Sequence, residues 1–283
     1  MSATAQSAAV ASLWRYPVKS MMGEELNAAV VTEGGLVGDR AYALVDQETG
    51  KVVSAKNPKK WPDFFYFRAT YANPPQPGAE VPPIWITLPS GDAVRSDENG
   101  VSEKLSGAVS RTVTLQQNAP RSPALEQYWP EREGEVEDVT NEAIAGAAPE
   151  GTFFDYATVH ILTTGTLNKL RELYPEGRFE ASRFRPNLII ETDPAVVDFV
   201  ENAWVGKTLQ VGEVMLQVTD PCPRCVMPTL AQGDLPKDPG IMKTMMQNTV
   251  YVPFVDKALP SVGVYAKVLR GGTIRRRDTV VVQ

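Results

Sequence analysis

Cys222 and Cys225 are the only cysteines in 283 residues, and they stand three apart in the run Asp220-Pro221-Cys222-Pro223-Arg224-Cys225-Val226-Met227-Pro228-Thr229. Two thiols at that spacing, flanked by prolines and with an arginine between them, suit a redox pair, a persulfide carrier, or one thiolate ligand to a metal held mostly by something other than protein. A neighbouring guanidinium favours the thiolate that all three require. Burial as small hydrophobes is the plain alternative. A closed structural zinc site takes four Cys or His ligands, which two cysteines and the single His160 do not supply. A structural disulfide belongs to secreted chains, whereas residues 1–11 are small and polar, without the charged start and apolar run of a signal peptide.

Three further clusters have the residue types that hold an anion. They are Tyr16-Pro17-Val18-Lys19-Ser20, Gly38-Asp39-Arg40-Ala41-Tyr42 and Ser182-Arg183-Phe184-Arg185-Pro186-Asn187. Arginine offers a bidentate fork to phosphate and lysine a point charge. In the third cluster, an extended backbone points Arg183 and Arg185 to one side, and Pro186 biases Arg185 toward that conformation. Taken singly, each cluster reads as surface; their value lies in occurring together with Arg224 and Cys225. His160 sits in the apolar run Thr158-Val159-His160-Ile161-Leu162 and reads as a core histidine rather than a general base. No GxSxG elbow accompanies it for a serine hydrolase, and Gly271-Gly272 falls in a terminal hairpin, not between a strand and a helix as a nucleotide-binding turn would.

The elements that must position these groups are mostly short strands. Twenty-three prolines, twenty-one glycines and many brief Val, Ile and Thr runs separated by turns argue for β structure. Ala41–Val45 and Lys51–Ser54 read as strands joined by a turn at 47–50, and Ile84–Leu88 opens a hairpin through 89–92. Helical spacing is clearest after Thr163 and Thr164, either of which suits an N-cap, with Leu167, Leu170 and Leu173 following. The methionines at 242, 245 and 246 also follow helical spacing and read as packing, as do Trp14, Trp85 and Trp204; Trp61, beside Lys59 and Lys60, reads as core or the rim of a site. Residues 73–83, rich in proline, and the acidic stretch 131–151 read as loops, the second as a solvated linker holding a domain boundary. The balance of 28 Lys and Arg against 34 Asp and Glu, net −6, speaks against broad nucleic-acid binding. No apolar run reaches the length of a membrane span, and a cytoplasmic location is expected.

In their order along the chain, Tyr16-Pro17-Val18-Lys19-Ser20, Gly38-Asp39-Arg40, Arg183-Phe184-Arg185-Pro186-Asn187, Pro221-Cys222-Pro223-Arg224-Cys225 and the closing run Val262–Leu269 resemble the MOSC-domain proteins that carry an N-terminal MOSC β-barrel domain. Among these the likeness is to the amidoxime-reducing component and its bacterial relatives, and it covers nearly the whole chain. The resemblance implies a mainly β (α+β) fold of two β-barrel-rich lobes, taken as residues 1–135 and 136–283. It implies a molybdenum cofactor, Mo-molybdopterin, with Cys225 as the protein ligand to the metal and the catalytic residue. Lys19, Ser20 and Arg40 would hold the cofactor phosphate; Arg185, Asn187 and Arg224, with Arg183 alongside, would contact pterin or phosphate. The implied activity is reduction of N-hydroxylated or N-oxide compounds with electrons from a separate electron-transfer protein. Two alternatives remain: a sulfur carrier with a persulfide on Cys225, supplied by a separate cysteine desulfurase, and a cofactor binding or delivery protein. This chain departs from its relatives at Ser54-Ala55-Lys56-Asn57-Pro58, where an arginine-containing segment is usual, and at Arg277, where glycine is usual and a changed turn is expected.

Overall fold

A computed structural model describes residues 8–129 and 136–283. Seven strands close into a barrel in the order Val159–Thr163, Leu188–Glu191, Ala8–Arg15, Thr279–Val282, Thr208–Val211, Val214–Pro223 and Lys257–Arg270, the last returning to pair with the first. Alternation explains the closure: along each strand one set of side chains faces inward. Val10, Leu13, Ile161, Leu188, Val211, Leu216, Val218, Val264 and Ala266 fill the interior, each buried Val, Leu or Ile contributing about 1.5–3 kcal/mol. Only Val159–Thr163 and Leu188–Glu191 run parallel, and the helix Thr164–Leu173 makes the crossover between them. As its sequence predicts, Thr163 caps that helix, its side chain accepting from Thr166 N. Leu167 and Leu170 are buried but Leu173 is 43% exposed, because two steps of three residues carry a side chain about 120° around the helix.

A second core lies outside the barrel, built from Val18, Met21, Tyr42, Trp61, Phe64, Phe65, Phe67, Ile84 and Ile86. Small sheets surround it: Arg68–Tyr71, Ile84–Thr87 and Ala93–Arg95 form one, Ala43–Asp46 and Val113–Gln116 another. The mainly β expectation holds, as does the hairpin at 84–95. The segment 51–54 joins Ala43–Asp46 only through the bridge Val45 to Val52. Residues 73–83 form no regular element, as expected, whereas the acidic stretch does: Asp138–Ala143 pairs antiparallel with Ala124–Trp129. The boundary expected at 135/136 touches residues outside the described ones, and the strands flanking it belong to one hairpin. The lobes also share strands, since Ala8–Arg15, from the chain start, is a barrel strand paired with Leu188–Glu191.

Barrel register brings the cysteine strand to its neighbours. His160 stands opposite Tyr265, and Tyr265 opposite Asp220, with the ladder irregular between Val218 and Asp220 and again between Pro221 and Pro223. Such bulges re-aim side chains at a strand's end, here where Cys222 begins the turn to Cys225. Gly263, at φ 80°, is required by this packing: a Cβ there would meet His160 Nε2 at 2.3 Å.

Candidate active site between the two lobes

Strand ends deliver the cationic groups. After Ala8–Arg15 the chain turns through Tyr16–Ser20, fixed by Tyr16 N donating to Asp39 Oδ1 (2.7 Å) and Lys19 N to Tyr42 O (2.9 Å). Ser20, Arg40 and Arg185 all have left-handed backbones, at φ 64°, 48° and 56°. Non-glycine residues in this region cost on the order of 1 kcal/mol or more and persist where surroundings over-determine them, often at functional sites. Arg185 therefore is not extended, and Ala181–Arg183 is a 3-10 turn. The expectation that Arg183 and Arg185 share a side is corrected by this backbone.

Their partners differ accordingly. Arg185 lies 4.2 Å from the Tyr16 ring centroid and donates to Met21 O at 2.6 Å. Arg40 lies 4.6 Å from the same ring, is ion-paired with Asp39 and reaches Arg185 O. Burial pushes the Tyr16 hydroxyl up to about 12 against the pull of both guanidiniums, so the ring is a neutral aromatic platform for two cations. Burial and the Arg40 charge lower Arg185 to about 10. Arg183, fully buried, donates instead to the carbonyls of Arg178, Pro228, Leu230 and Pro236. Its guanidinium is spent on holding the loop after Cys225, which removes it from the ligand-contacting set. Asn187 is likewise occupied, donating to Asp39 Oδ2 and Trp14 O and accepting from His160 N. It braces Asp39 and, through it, Arg40.

Lys19 and Ser20 face the segment that departs from the sequence pattern. Ser20 Oγ accepts from Ala55 N at 3.2 Å, and Lys56 pairs with Asp155 (3.5 Å) and Glu142 (3.1 Å). Lys19 donates to Phe153 O at 2.7 Å and is ion-paired with Asp155. Lys56, Asp155 and Glu142 are the site residues that sequence reasoning missed, and so is the role of the Tyr16 ring as a platform; the one signal was the departure at 54–58. The reading of 131–151 as a solvated linker is corrected at Glu142, because hairpin pairing folds that strand back onto Lys56.

Both cysteines are free, but their surroundings are opposite. Cys222 is buried and receives Arg224 Nη1 at 3.0 Å. Burial alone would push its thiol up; His160 and the Arg224 guanidinium outweigh that and pull it down to about 6. Cys225, part-exposed, packs against the second core. Burial raises its thiol, opposed by the Lys56 and Arg224 charges. Arg224 also donates to Phe184 O at 3.0 Å, while its Nε is buried with no partner.

The donor set fits an anionic, metal-bearing organic cofactor. Five cations, Lys19, Arg40, Lys56, Arg185 and Arg224, meet three carboxylates, Asp39, Glu142 and Asp155, leaving positive charge in surplus. The partnerless Arg224 Nε is a buried donor awaiting an acceptor. Cys225 offers a soft ligand, suited to a metal already bound by sulfur. Among the described residues no group of three His, Cys, Asp or Glu converges as a metal site by itself. A cleft of about 280 Å³ reaches Asp39, Arg40 and Phe154 from the outer flank, under the loop Pro75–Ala79, and includes neither cysteine.

Comparison with known families decides the lineage: residues 7–95 match the MOSC N-terminal β-barrel domain and residues 149–281 the MOSC domain. The chain is a MOSC-domain protein. The second match contains both cysteines, Arg185, Asn187 and Arg224; the first contains Lys19, Ser20, Arg40 and Lys56. MOSC domains are known in molybdenum-cofactor-binding proteins. Similar solved structures include the YuaD protein of Bacillus subtilis, 12% identical over 98% of this chain and 95% of that one, with a TM-score of 0.40. YiiM of Geobacillus stearothermophilus is 16% identical over 56% of this chain and 72% of its own, and YiiM of Escherichia coli 17% over 53% and 65%, both with TM-scores of 0.31. No curated protein matches. No helix among the described residues of this MOSC-domain protein is long and apolar enough to cross a membrane.

Proposed function

We propose that this MOSC-domain protein binds Mo-molybdopterin in the cationic cluster between its lobes and reduces N-hydroxylated or N-oxide compounds. One observation carries the reading: the part-exposed thiol Cys225 stands among Lys56, Arg224 and Asp155, beside a partnerless buried Arg224 Nε. Cys225 would ligate the metal; Lys19, Ser20, Lys56 and Arg40 would hold the cofactor's phosphate; Arg185 and Arg224 would meet the remaining polar atoms of the pterin. Asn187 acts through Asp39 as a positioning residue.

When bound, the cofactor supplies two-electron, oxygen-accepting chemistry; the protein binds, orients and tunes it. Loss of the thiol proton accompanies metal binding, and the Lys56 charge favours that loss. Electrons come from a separate electron-transfer protein. The sulfur-carrier reading uses the same part-exposed Cys225 thiol but draws less support, because it gives the cations around that thiol no ligand to hold. Incubating cofactor-loaded protein with an N-hydroxyamidine and an artificial reductant tests the proposal. Amidine formation that is lost in Cys225→Ser is expected; no turnover by loaded wild type would rule out the reductase.

A further inference from the structure

Asp155 sits where an anionic ligand of Lys19 and Lys56 would sit. One carboxylate oxygen is ion-paired with Lys19 Nζ and the other lies 3.5 Å from Lys56 Nζ. The lysine side chains are only 6% and 13% exposed, whereas that of Asp155 is 40% exposed and forms the solvent side of the cluster. An anion arriving from solvent therefore meets Asp155 before it meets either ammonium. Two ammonium groups spanned by one carboxylate also have the charge and donor pattern that a phosphate's oxygens would match.

We infer that Asp155 is an internal placeholder for the phosphate class of anion, filling the Lys19–Lys56 site in the ligand-free protein and yielding it when the ligand binds. The inference rests on the anion-site reading above and adds a gate to it. A buried ammonium without a charge partner is costly, and Asp155 keeps both lysines charged and in place until a ligand takes over. Burial pulls the Lys19 ammonium toward neutrality, opposed chiefly by Asp155. The geometry also says how the gate moves. Phe153 and Phe154 are buried immediately upstream, and Phe153 O accepts from Lys19 itself, so the backbone is pinned and the carboxylate leaves by side-chain rotation. Residues 151–158 form no helix and no strand, the next strand beginning at Val159, leaving that rotation free of regular hydrogen bonding. Lys56 keeps Glu142 as its second partner throughout, so ligand exchange at Asp155 does not leave it uncompensated.

The test measures binding of inorganic phosphate and of pyrophosphate by titration calorimetry to cofactor-free full-length protein, comparing wild type with Asp155→Asn and Asp155→Ala. Removing the competing carboxylate should tighten binding about ten-fold or more in both variants, and phosphate should raise their melting temperatures more than that of wild type. Adding Lys56→Gln to Asp155→Asn should abolish the gain. Equal or weaker binding by both folded variants overturns the gate alone and leaves the anion site standing. Absence of binding in all proteins overturns the gate and the anion-site reading together.

Discussion

Arg224 donates to Cys222 Sγ at 3.0 Å, so the arginine between the two cysteines serves the buried sulfur. The pair turns Arg224 inward against Phe184 O and leaves its Nε without a partner. Cys222 is thereby a counter-charge that sets the guanidinium, and Cys225 is left outside that pair.

That pairing has a pH signature. The folded pKa of Cys222, about 6, lies below its ordinary value of 9.0. Between the two, the unfolded chain binds the extra proton, so stability rises with pH across this interval. The contribution is complete above about 9 and is lost as pH falls through about 6. Urea unfolding of wild type and Cys222→Ala at several pH values should give a stability difference that grows from pH 6 to 9; a flat difference would exclude the thiolate. In Cys225→Ser, thiolate absorbance should report the same titration.

Tyr16 lies beneath Arg40 and Arg185. Tyr16→Phe keeps the ring and loses only the hydroxyl's bond to Pro186 O, for a cost of about 1 kcal/mol. Tyr16→Ala removes the platform and opens a cavity, for about 3–5 kcal/mol. Denaturant melts that rank the two alike would remove the ring from this role.

Arg183 holds four backbone carbonyls, those of Pro228, Leu230 and Pro236 in the loop after Cys225 and that of Arg178 just upstream of its own turn. Arg183→Met should destabilise the fold by about 3 kcal/mol, since buried carbonyls lose their donors. Molybdenum per folded chain should stay near the wild-type level. A folded variant of normal stability but depleted of metal would return Arg183 to the ligand-contacting set.

Arg40→Ala should lower cofactor occupancy several-fold, since it removes a charge of the anion cluster and frees Asp39. Occupancy equal to wild type, measured as released pterin per chain, would take Arg40 out of the phosphate site.

Much of this site is legible in the chain because its groups occur as compact runs. Tyr16–Ser20, Gly38–Arg40 and Arg224-Cys225 each supply charge or sulfur within a few residues. The parts that were not legible depend on non-local geometry. Nothing in a one-dimensional pattern says that Ala8–Arg15 crosses into the barrel, or that Asp138–Ala143 folds back to set Glu142 against Lys56. Left-handed backbones at Ser20, Arg40 and Arg185 are equally hidden, since none is glycine and Pro186 argues for an extended Arg185. Arg183 misled for the same reason: alternation assumes a strand where the chain makes a 3-10 turn. At Arg277 the backbone has a φ of 70°, so an arginine occupies a conformation that glycine favours.

The central claim is that the chain holds a molybdenum cofactor through Cys225. Elemental mass spectrometry with pterin release, on protein from a molybdate-supplied host able to make the cofactor, measures this directly for wild type, Cys225→Ser and Cys222→Ser. The account predicts near-stoichiometric metal and pterin in wild type, metal largely kept by Cys222→Ser and lost from Cys225→Ser. Wild type lacking both, or equal metal loss from the two variants, would contradict it.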